Sequence, residues 1–227
     1  MPVKYGPSAP KPLVSAEEEQ LLREYVAYLN LEEMAAFCRE HDLPTVIQIE
    51  RPTGGLKRTG DRDRKDIVLG RILALALEGK RLGPTVYGSN VVSEEPLPAT
   101  LSSQVRLHYG QYDKQNPQLM SLLRELTDGA FKNGMIARLV LRDYWTAGEA
   151  PTLRAFADAW LRAKAAHTEP RPEGAYLADR HRGEAGRDWK TVRRRKAAVA
   201  LEILAKSTPP VDPSTSPRDY EASLGSA

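Results

Sequence analysis

The chain has 227 residues, of which 41% are hydrophobic and 28% are charged, and its net charge is only +3. This length allows one large domain or two small ones, and the small net charge makes the local placement of charge more informative than its total. The single cysteine excludes an internal disulfide, and no apolar stretch is long enough to span a bilayer, so we expect a soluble, cytoplasmic protein that does not enter membranes.

The N-terminal region begins with a proline-rich segment, residues 1–14, which predicts a flexible arm. Ser15 then starts a helix, because Ser15 and Glu18 have the spacing of a capping box. Apolar residues recur from Leu21 to Leu29 and supply the buried face of this helix. A small helical module over residues 15–82 is therefore expected.

Two further helices are predicted in this module. Asn30 can cap the first of them, and Leu43-Pro44 ends it, because the residue before a proline avoids helical geometry. The second runs through the sequence KDIVLGRILALALEGK, and Arg71 is expected on its outer face. The residues predicted to face inward are Leu31, Met34, Ala35, Phe37 and Cys38 in the first helix, and Ile67, Val68, Ile72, Leu75 and Ala76 in the second.

At these residues the chain resembles the SAP motif, a helix, extended turn and helix module of chromatin and DNA-repair proteins. The resemblance covers residues 30–78: LEEMAAFCREHDLP corresponds to the first helix, and Lys65, Val68, Arg71 and Ile72 have the spacing of the second. The intervening turn, VIQIERPTGGLKRTGDRD, is much longer than in the family. The resemblance implies DNA binding through the turn and the start of the second helix, in repair, recombination, or nucleoid- or phage-related processes.

The charge pattern of this turn agrees with that implication. Residues 51–71 contain seven cations against three carboxylates, a surplus of +4. A helix start offers unpaired amides that favour a phosphate, and neighbouring cations add the salt-dependent attraction of counterion release. A solvated charged face is the alternative interpretation of the same pattern.

The middle of the chain alternates between extended and irregular patterns. Residues 45–50, TVIQIE, predict a strand or an extended segment, and the following TGGLKRTG predicts a hairpin-like turn. Residues 83–104 contain prolines and glycines without a helical stripe, which indicates a linker. Within the linker, VYGSNVV is able to dock as an extended strand.

A second helical bundle is predicted over residues 105–206. Pro117 can begin a helix that stops at Gly129, a second helix follows from Met135, and Thr152 can cap a third. Residues 105–165 are weakly similar to a bacterial helical domain of unknown function that accompanies SAP-like modules. The tail, residues 207–227, is rich in proline and serine and is expected to be disordered.

The last helix of this bundle, RDWKTVRRRKAAVALEILAK, carries the densest positive charge. From Arg180 to Lys196 there are eight cations against two carboxylates, a surplus of +6. Trp189, Val192, Val199 and Ile203 form its apolar stripe, and Trp189 could alternatively stack on an unpaired base.

Candidates for catalysis are few. The four histidines, His41, His108, His167 and His181, have no metal-ligand spacing, and Cys38 lies on an apolar helix face. Asp179, His181 and Glu184 are the one compact group of acids and histidine. No catalytic residue, metal or cofactor is predicted.

The sequence thus predicts a mainly α protein with a SAP-like helical module, a linker, a second bundle and disordered termini. The expected function is salt-dependent binding of DNA or RNA through phosphate contacts. The alternatives are a protein-interaction or scaffold component, with a protein partner or a homo-oligomer, and a metal-dependent nuclease using Asp179, His181 and Glu184. The residues predicted to contact nucleic acid are Lys57, Arg58, Arg62, Arg64, Lys65, Arg71, Arg187, Lys190, Arg193, Arg194, Arg195 and Lys196.

Overall fold

A computed structural model describes residues 14–166 and 189–208. Within those ranges the chain forms seven α-helices and a small three-stranded sheet, so the protein is mainly α. The helices are α1 (Ala16–Tyr25), α2 (Leu31–Glu40), α3 (Lys65–Glu78), α4 (Pro117–Glu125), α5 (Met135–Thr146), α6 (Leu153–Ala166) and α7 (Trp189–Ser207). The strands are β1 (Val46–Glu50), β2 (Leu56–Arg62) and β3 (Val86–Tyr87), and short 3-10 turns occupy Val26–Tyr28 and Ser89–Val91.

The described residues divide into two compact units that interleave along the chain. We call residues 14–44, 64–83 and 189–208 the helical unit, and residues 45–63 and 84–166 the mixed unit. This division differs from the consecutive domains predicted from the sequence. The hairpin between α2 and α3 belongs to the mixed unit, and the last helix belongs to the helical unit, because the apolar residues of each pack into those cores.

Local capping defines the helices of the helical unit. Ser15 and Glu18 form the predicted capping box, and Asn30 caps α2 in a second box completed by Glu33. α3 ends at Gly79, whose φ of 65° lies in the left-handed region that favours glycine. These signals are local, which is why the sequence revealed the helix starts.

The core of the helical unit combines α1, the first 3-10 turn, α2, α3 and α7. Leu22, Leu29 and Ile72 are fully buried at its centre. The buried stripe of α7 differs from the predicted one, because Val192 and Val199 are only half-buried. Its fully shielded positions are Ala197, Ala200, Ile203, Leu204 and Ser207. Small alanines allow α7 to pack closely against its neighbours.

Three predicted orientations in the helical unit are wrong. Leu31 and Ile67, predicted to face inward, are 74% and 41% exposed. Arg71, predicted on the outer face of α3, is only 4% exposed. The apolar stripe of α3 is wide, and the helix is oriented with Arg71 in the core. Backbone carbonyls accept the hydrogen bonds of Arg71 there.

The sheet of the mixed unit has the order β2-β1-β3, with β1 antiparallel to β2 and parallel to β3. The predicted strand at 45–50 is confirmed as β1. The predicted turn is shorter than expected, since β2 already begins at Leu56. At its tip the Arg51 amide donates to the Gly55 carbonyl over 3.0 Å, and Gly54 and Gly55 have φ of 90° and 82°, which favours glycine at both positions.

Residues 84–104, predicted as part of a linker, instead belong to the mixed unit. β3 pairs with β1, and the side chains of Tyr87 and Val91 are buried in the core. A bridge then joins Val92 to Tyr109. The prolines and glycines that suggested a linker permit this irregular path, and the interspersed apolar residues anchor it.

The remaining helices of the mixed unit begin at or next to the predicted positions, whereas α4 ends at Glu125, before the predicted end at Gly129. Asn116 caps α4 with Pro117 at its first position, and the Thr152 hydroxyl accepts from the Ala155 amide at the start of α6. Phe131, Phe156 and Trp160 form the aromatic centre of this core.

The predictions about the chain termini fall largely outside the described residues. Residues 1–13 and 209–227 are not among them, whereas Val14 and Ser207 are described and buried. In residues 14–166 and 189–208, no helix combines the length and apolar character needed to cross a membrane.

Candidate nucleic-acid interface

The cations predicted to contact nucleic acid separate into an inward and an outward group. Arg187 lies outside the described residues. The inward group donates to acceptors in the helical unit, and the outward group is exposed on β2 and on the first half of α7. The inward residues are Arg64, Lys65, Arg71, Arg193 and Lys196; the outward residues are Lys57, Arg58, Arg62, Lys190, Arg194 and Arg195.

Arg71 is the most deeply buried of the inward group. Its Nη1 donates to the Pro44 carbonyl over 2.9 Å, and its Nε donates to the Gly83 carbonyl over 3.0 Å. The guanidinium therefore joins two segments of the helical unit, one before α3 and one after it. These bonds give Arg71 a structural role at a position where the SAP resemblance implies DNA binding.

The start of α3 is likewise engaged. The Lys65 ammonium donates to the Ala27 carbonyl over 2.6 Å, and Arg64 pairs with Asp66 over 2.7 Å. The side chain of Arg64 is 17% exposed. The first turn of α3 is thus tied to its own unit by the cations that were expected to meet phosphate.

Two cations of α7 also point inward. Arg193 pairs with Glu33, the carboxylate that completes the capping box of α2. Lys196 donates to the Tyr28 hydroxyl over 2.9 Å, and its ammonium lies 4.4 Å from the centre of the Tyr28 ring. Both side chains are 18% exposed. They fasten α7 to the rest of the helical unit.

The hairpin cations have a different environment. In the register of β1 and β2, Arg58 lies opposite Gln48 and Arg62 opposite Val46, whereas Lys57 lies opposite Ile49. The register shifts between these first two pairs, but Gln48 and Val46 are two residues apart on β1 and therefore share a face, which places Arg58 and Arg62 on that face and Lys57 on the other. Leu56 is 58% exposed on the same face as Arg58.

The exposed cations of α7 are Lys190, Arg194 and Arg195, and they occupy the first two turns of the helix. No carboxylate lies in the first turn. Trp189, considered for base stacking, is half-buried at the first position of α7.

A cleft in the mixed unit was not singled out from the sequence. It has a volume of about 470 Å³ and lies between the hairpin tip and the Val92–Tyr109 bridge. Two cations and a carboxylate line this cleft together with apolar and aromatic side chains. The relevant lining residues are Ile49, Arg51, Lys57, Val92, Glu94 and Tyr109. They come from distant positions in the sequence, and only the glycine-rich turn carrying cations signalled part of the site.

Tyr109 is held rigidly at this cleft. Its hydroxyl donates to Asp61 Oδ2 over 2.6 Å, and its ring packs edge-on against Trp145 with centroids 5.3 Å apart. Burial and the neighbouring Asp61 carboxylate raise the pKa of Tyr109 to about 12. The phenol is therefore neutral at physiological pH and acts as a hydrogen-bond donor and an aromatic surface.

Of the groups considered for catalysis, Cys38 is described by the structure and is buried. Burial raises the pKa of the Cys38 thiol to about 11, which leaves it protonated and unreactive at neutral pH. Among residues 14–166 and 189–208, no cluster of three or more histidine, cysteine or acidic side chains could hold a metal. Asp179, His181 and Glu184 lie outside those ranges.

Comparison of the sequence with protein-family models and with curated proteins found no match, and comparison of the structure with solved structures found none either.

Proposed function

We propose that this protein binds nucleic acid, DNA in the first instance, through phosphate contacts made by the outward cations. The observation that supports the proposal is that these six residues have no ion pair or side-chain hydrogen bond within the described part of the chain. Cations that are not paired within the protein can replace the counterions of a phosphate backbone, which makes binding strong at low salt and weakly dependent on sequence.

The hairpin fits this role through its shape as well as its charge. β2 is an edge strand of the sheet, and every residue of it except Thr59 is exposed. An exposed edge strand leaves Arg58 and Arg62 open to solvent, where they can contact phosphates or base edges. The α7 cations Lys190, Arg194 and Arg195 supply a second exposed surface.

The proposal keeps the SAP resemblance but places the DNA contacts at other residues of the motif. α2 and α3 both belong to the helical unit, and the segment between them carries the hairpin. In this proposal the long turn, rather than the start of α3, makes the DNA contacts, because Lys65 and Arg71 donate to backbone carbonyls. A cytoplasmic or nucleoid location and a role in repair or recombination are part of this proposal and depend on it.

The test is a fluorescence-anisotropy titration of a labelled duplex at several salt concentrations. We expect binding at low salt, with a slope of log affinity against log salt that falls by about 0.9 for each phosphate contact removed. Changing Lys57, Arg58 and Arg62 together to glutamine should lower the affinity and the slope. A second triple variant, Lys190→Gln, Arg194→Gln and Arg195→Gln, tests the α7 surface separately.

The matched control changes three exposed cations elsewhere in the mixed unit: Lys114, Arg124 and Lys132, each to glutamine. It removes the same net charge as either triple variant. Absence of duplex and single-strand binding by the wild-type protein at low salt would overturn the proposal. An equal loss of affinity in the control would show that net charge, and not these surfaces, governs binding.

A protein-interaction role is the second candidate, and one observation favours it. Leu56 and Val86 are 58% and 39% exposed on the sheet face that also carries Arg58. An apolar pair beside an arginine is a common composition of protein interfaces. Co-purification of a partner that survives nuclease treatment, and that Leu56→Ser abolishes, would favour this role over nucleic-acid binding.

A further inference from the structure

We infer that the cleft at the hairpin tip is a binding site for one nucleotide unit, with its phosphate held by Arg51 and Lys57 and its base placed against Tyr109. The inference rests on the proposed nucleic-acid function for the class of its ligand. It adds a specific site to that function, on the face of β2 opposite to Arg58 and Arg62.

The size and lining of the cleft suit such a ligand. Its volume of about 470 Å³ falls within the roughly 300–1,000 Å³ of small-molecule sites, and its lining is mixed, with polar and charged side chains exposing more surface than apolar ones. Ile49, Val92 and Tyr109 supply the apolar and aromatic wall. A nucleotide has the matching division into a flat base and an anionic phosphate.

The two cations of the cleft are available for an anion. Neither Arg51 nor Lys57 has an ion pair or side-chain hydrogen bond within residues 14–166 and 189–208. Arg51 is positioned by the tight turn in which its amide and carbonyl both bond within Arg51–Gly55. Lys57 reaches the cleft because it shares the face of Ile49.

The opposite side of the cleft is fixed before any ligand binds. The Tyr109 amide donates to the Val91 carbonyl over 2.7 Å, and Gln111 Nε2 donates to the Glu95 carbonyl over 2.8 Å. A rigid wall lowers the entropic cost of binding. Glu94, the carboxylate at the cleft, repels a phosphate but accepts hydrogen bonds from the N–H groups of a base, so it favours one orientation of the nucleotide.

Calorimetric titration with adenosine 5′-monophosphate, with adenosine and with inorganic phosphate tests the site directly. We expect the monophosphate to bind more tightly than either component. The double variant Arg51→Gln, Lys57→Gln should weaken its binding by at least about tenfold, since two charge-assisted contacts are lost. Lys114→Gln, Arg124→Gln is the matched control, because it removes the same charges from exposed positions that do not line the cleft.

The aromatic wall is tested by a pair of changes at Tyr109. Tyr109→Phe keeps the ring and should retain binding, whereas Tyr109→Leu should weaken binding of the monophosphate but not of phosphate. Circular dichroism confirms that each variant is folded, and the Arg51, Lys57 variant tests the site even if Tyr109→Leu fails to fold.

Competition separates the two sources of the ligand. Displacement of the monophosphate by a single-stranded oligonucleotide, but not by a blunt duplex, assigns the site to an unpaired nucleotide of a strand, and no displacement assigns it to the free nucleotide. Equal affinity for phosphate and monophosphate, or no monophosphate binding, would overturn the inference. Absence of both duplex and single-strand binding, with monophosphate binding intact, would instead overturn only the proposed function.

Discussion

The cations of the helical unit and those of the hairpin look alike in the sequence but have opposite roles in the structure. Arg71 and Lys196 lie among carbonyls, a tyrosine hydroxyl and aromatic rings, which accept their hydrogen bonds and favour their charge. Arg58 and Arg62 lie on an exposed edge strand without such acceptors. A local surplus of positive charge therefore indicates an interface only where the fold provides no internal hydrogen-bond acceptor for the cations.

The largest expected difference between the cations of the helical unit and those of the hairpin is in their contribution to the free energy of unfolding. Arg71→Met should lower the free energy of unfolding by about 2–4 kcal/mol, because two carbonyls lose a charged donor. Arg58→Met, at an exposed position, should change it by less than about 0.5 kcal/mol. Urea unfolding measures both. A neutral Arg71→Met variant would show that this guanidinium is not structural.

A smaller effect is expected at Lys196. Its ammonium lies 4.4 Å from the Tyr28 ring centre and 5.3 Å from that of Tyr25, in addition to its bond with the Tyr28 hydroxyl. Lys196→Met should therefore cost about 1–2 kcal/mol. Arg195→Met, one residue earlier on the exposed side of α7, is the control. Equal stability of the two variants would remove the distinction between inward and outward cations of α7.

The smallest expected effect is the dependence of stability on pH at His41. Burial lowers the pKa of His41, Glu40 raises it and Arg81 lowers it further, and Nδ1 has no hydrogen-bond partner among the described residues. The folded pKa is thus below the ordinary value of 6.5. As the pH falls below about 6.5, the unfolded chain binds a proton that the folded chain does not, so stability decreases.

The rate of this decrease is at most about 1.4 kcal/mol per pH unit for one proton, and it stops below the folded pKa. Urea unfolding between pH 8 and pH 5 measures it, with His41→Leu as the comparison. The variant should lose less stability on acidification than the wild type. Parallel curves for the two proteins would contradict a buried neutral His41.

The sequence predicted those features that short-range chemistry controls. The capping box of Ser15 and Glu18, the cap at Asn30 and the start of α4 at Pro117 depend on residues within three or four positions of one another. The strand at 45–50 was likewise visible in its alternation of apolar and polar residues.

The same reasoning could not assign partners across the chain. Residues 83–104 were predicted to be a linker because their apolar residues do not recur at a regular spacing. Tyr87 and Val91 are nevertheless buried in the mixed unit. The cleft was missed because Arg51, Val92 and Tyr109 meet only after β1, β3 and the bridge at Val92 have formed.

The sequence by itself determined where the helices begin, which segments are apolar and where positive charge accumulates, because these are properties of neighbouring residues. Only the tertiary structure decided which cations are internal and which face solvent. A small rotation of a helix with a wide apolar face moves a cation from an exposed position to a buried one, as at Arg71. The carbonyls that accept hydrogen bonds from the buried cation come from distant parts of the chain.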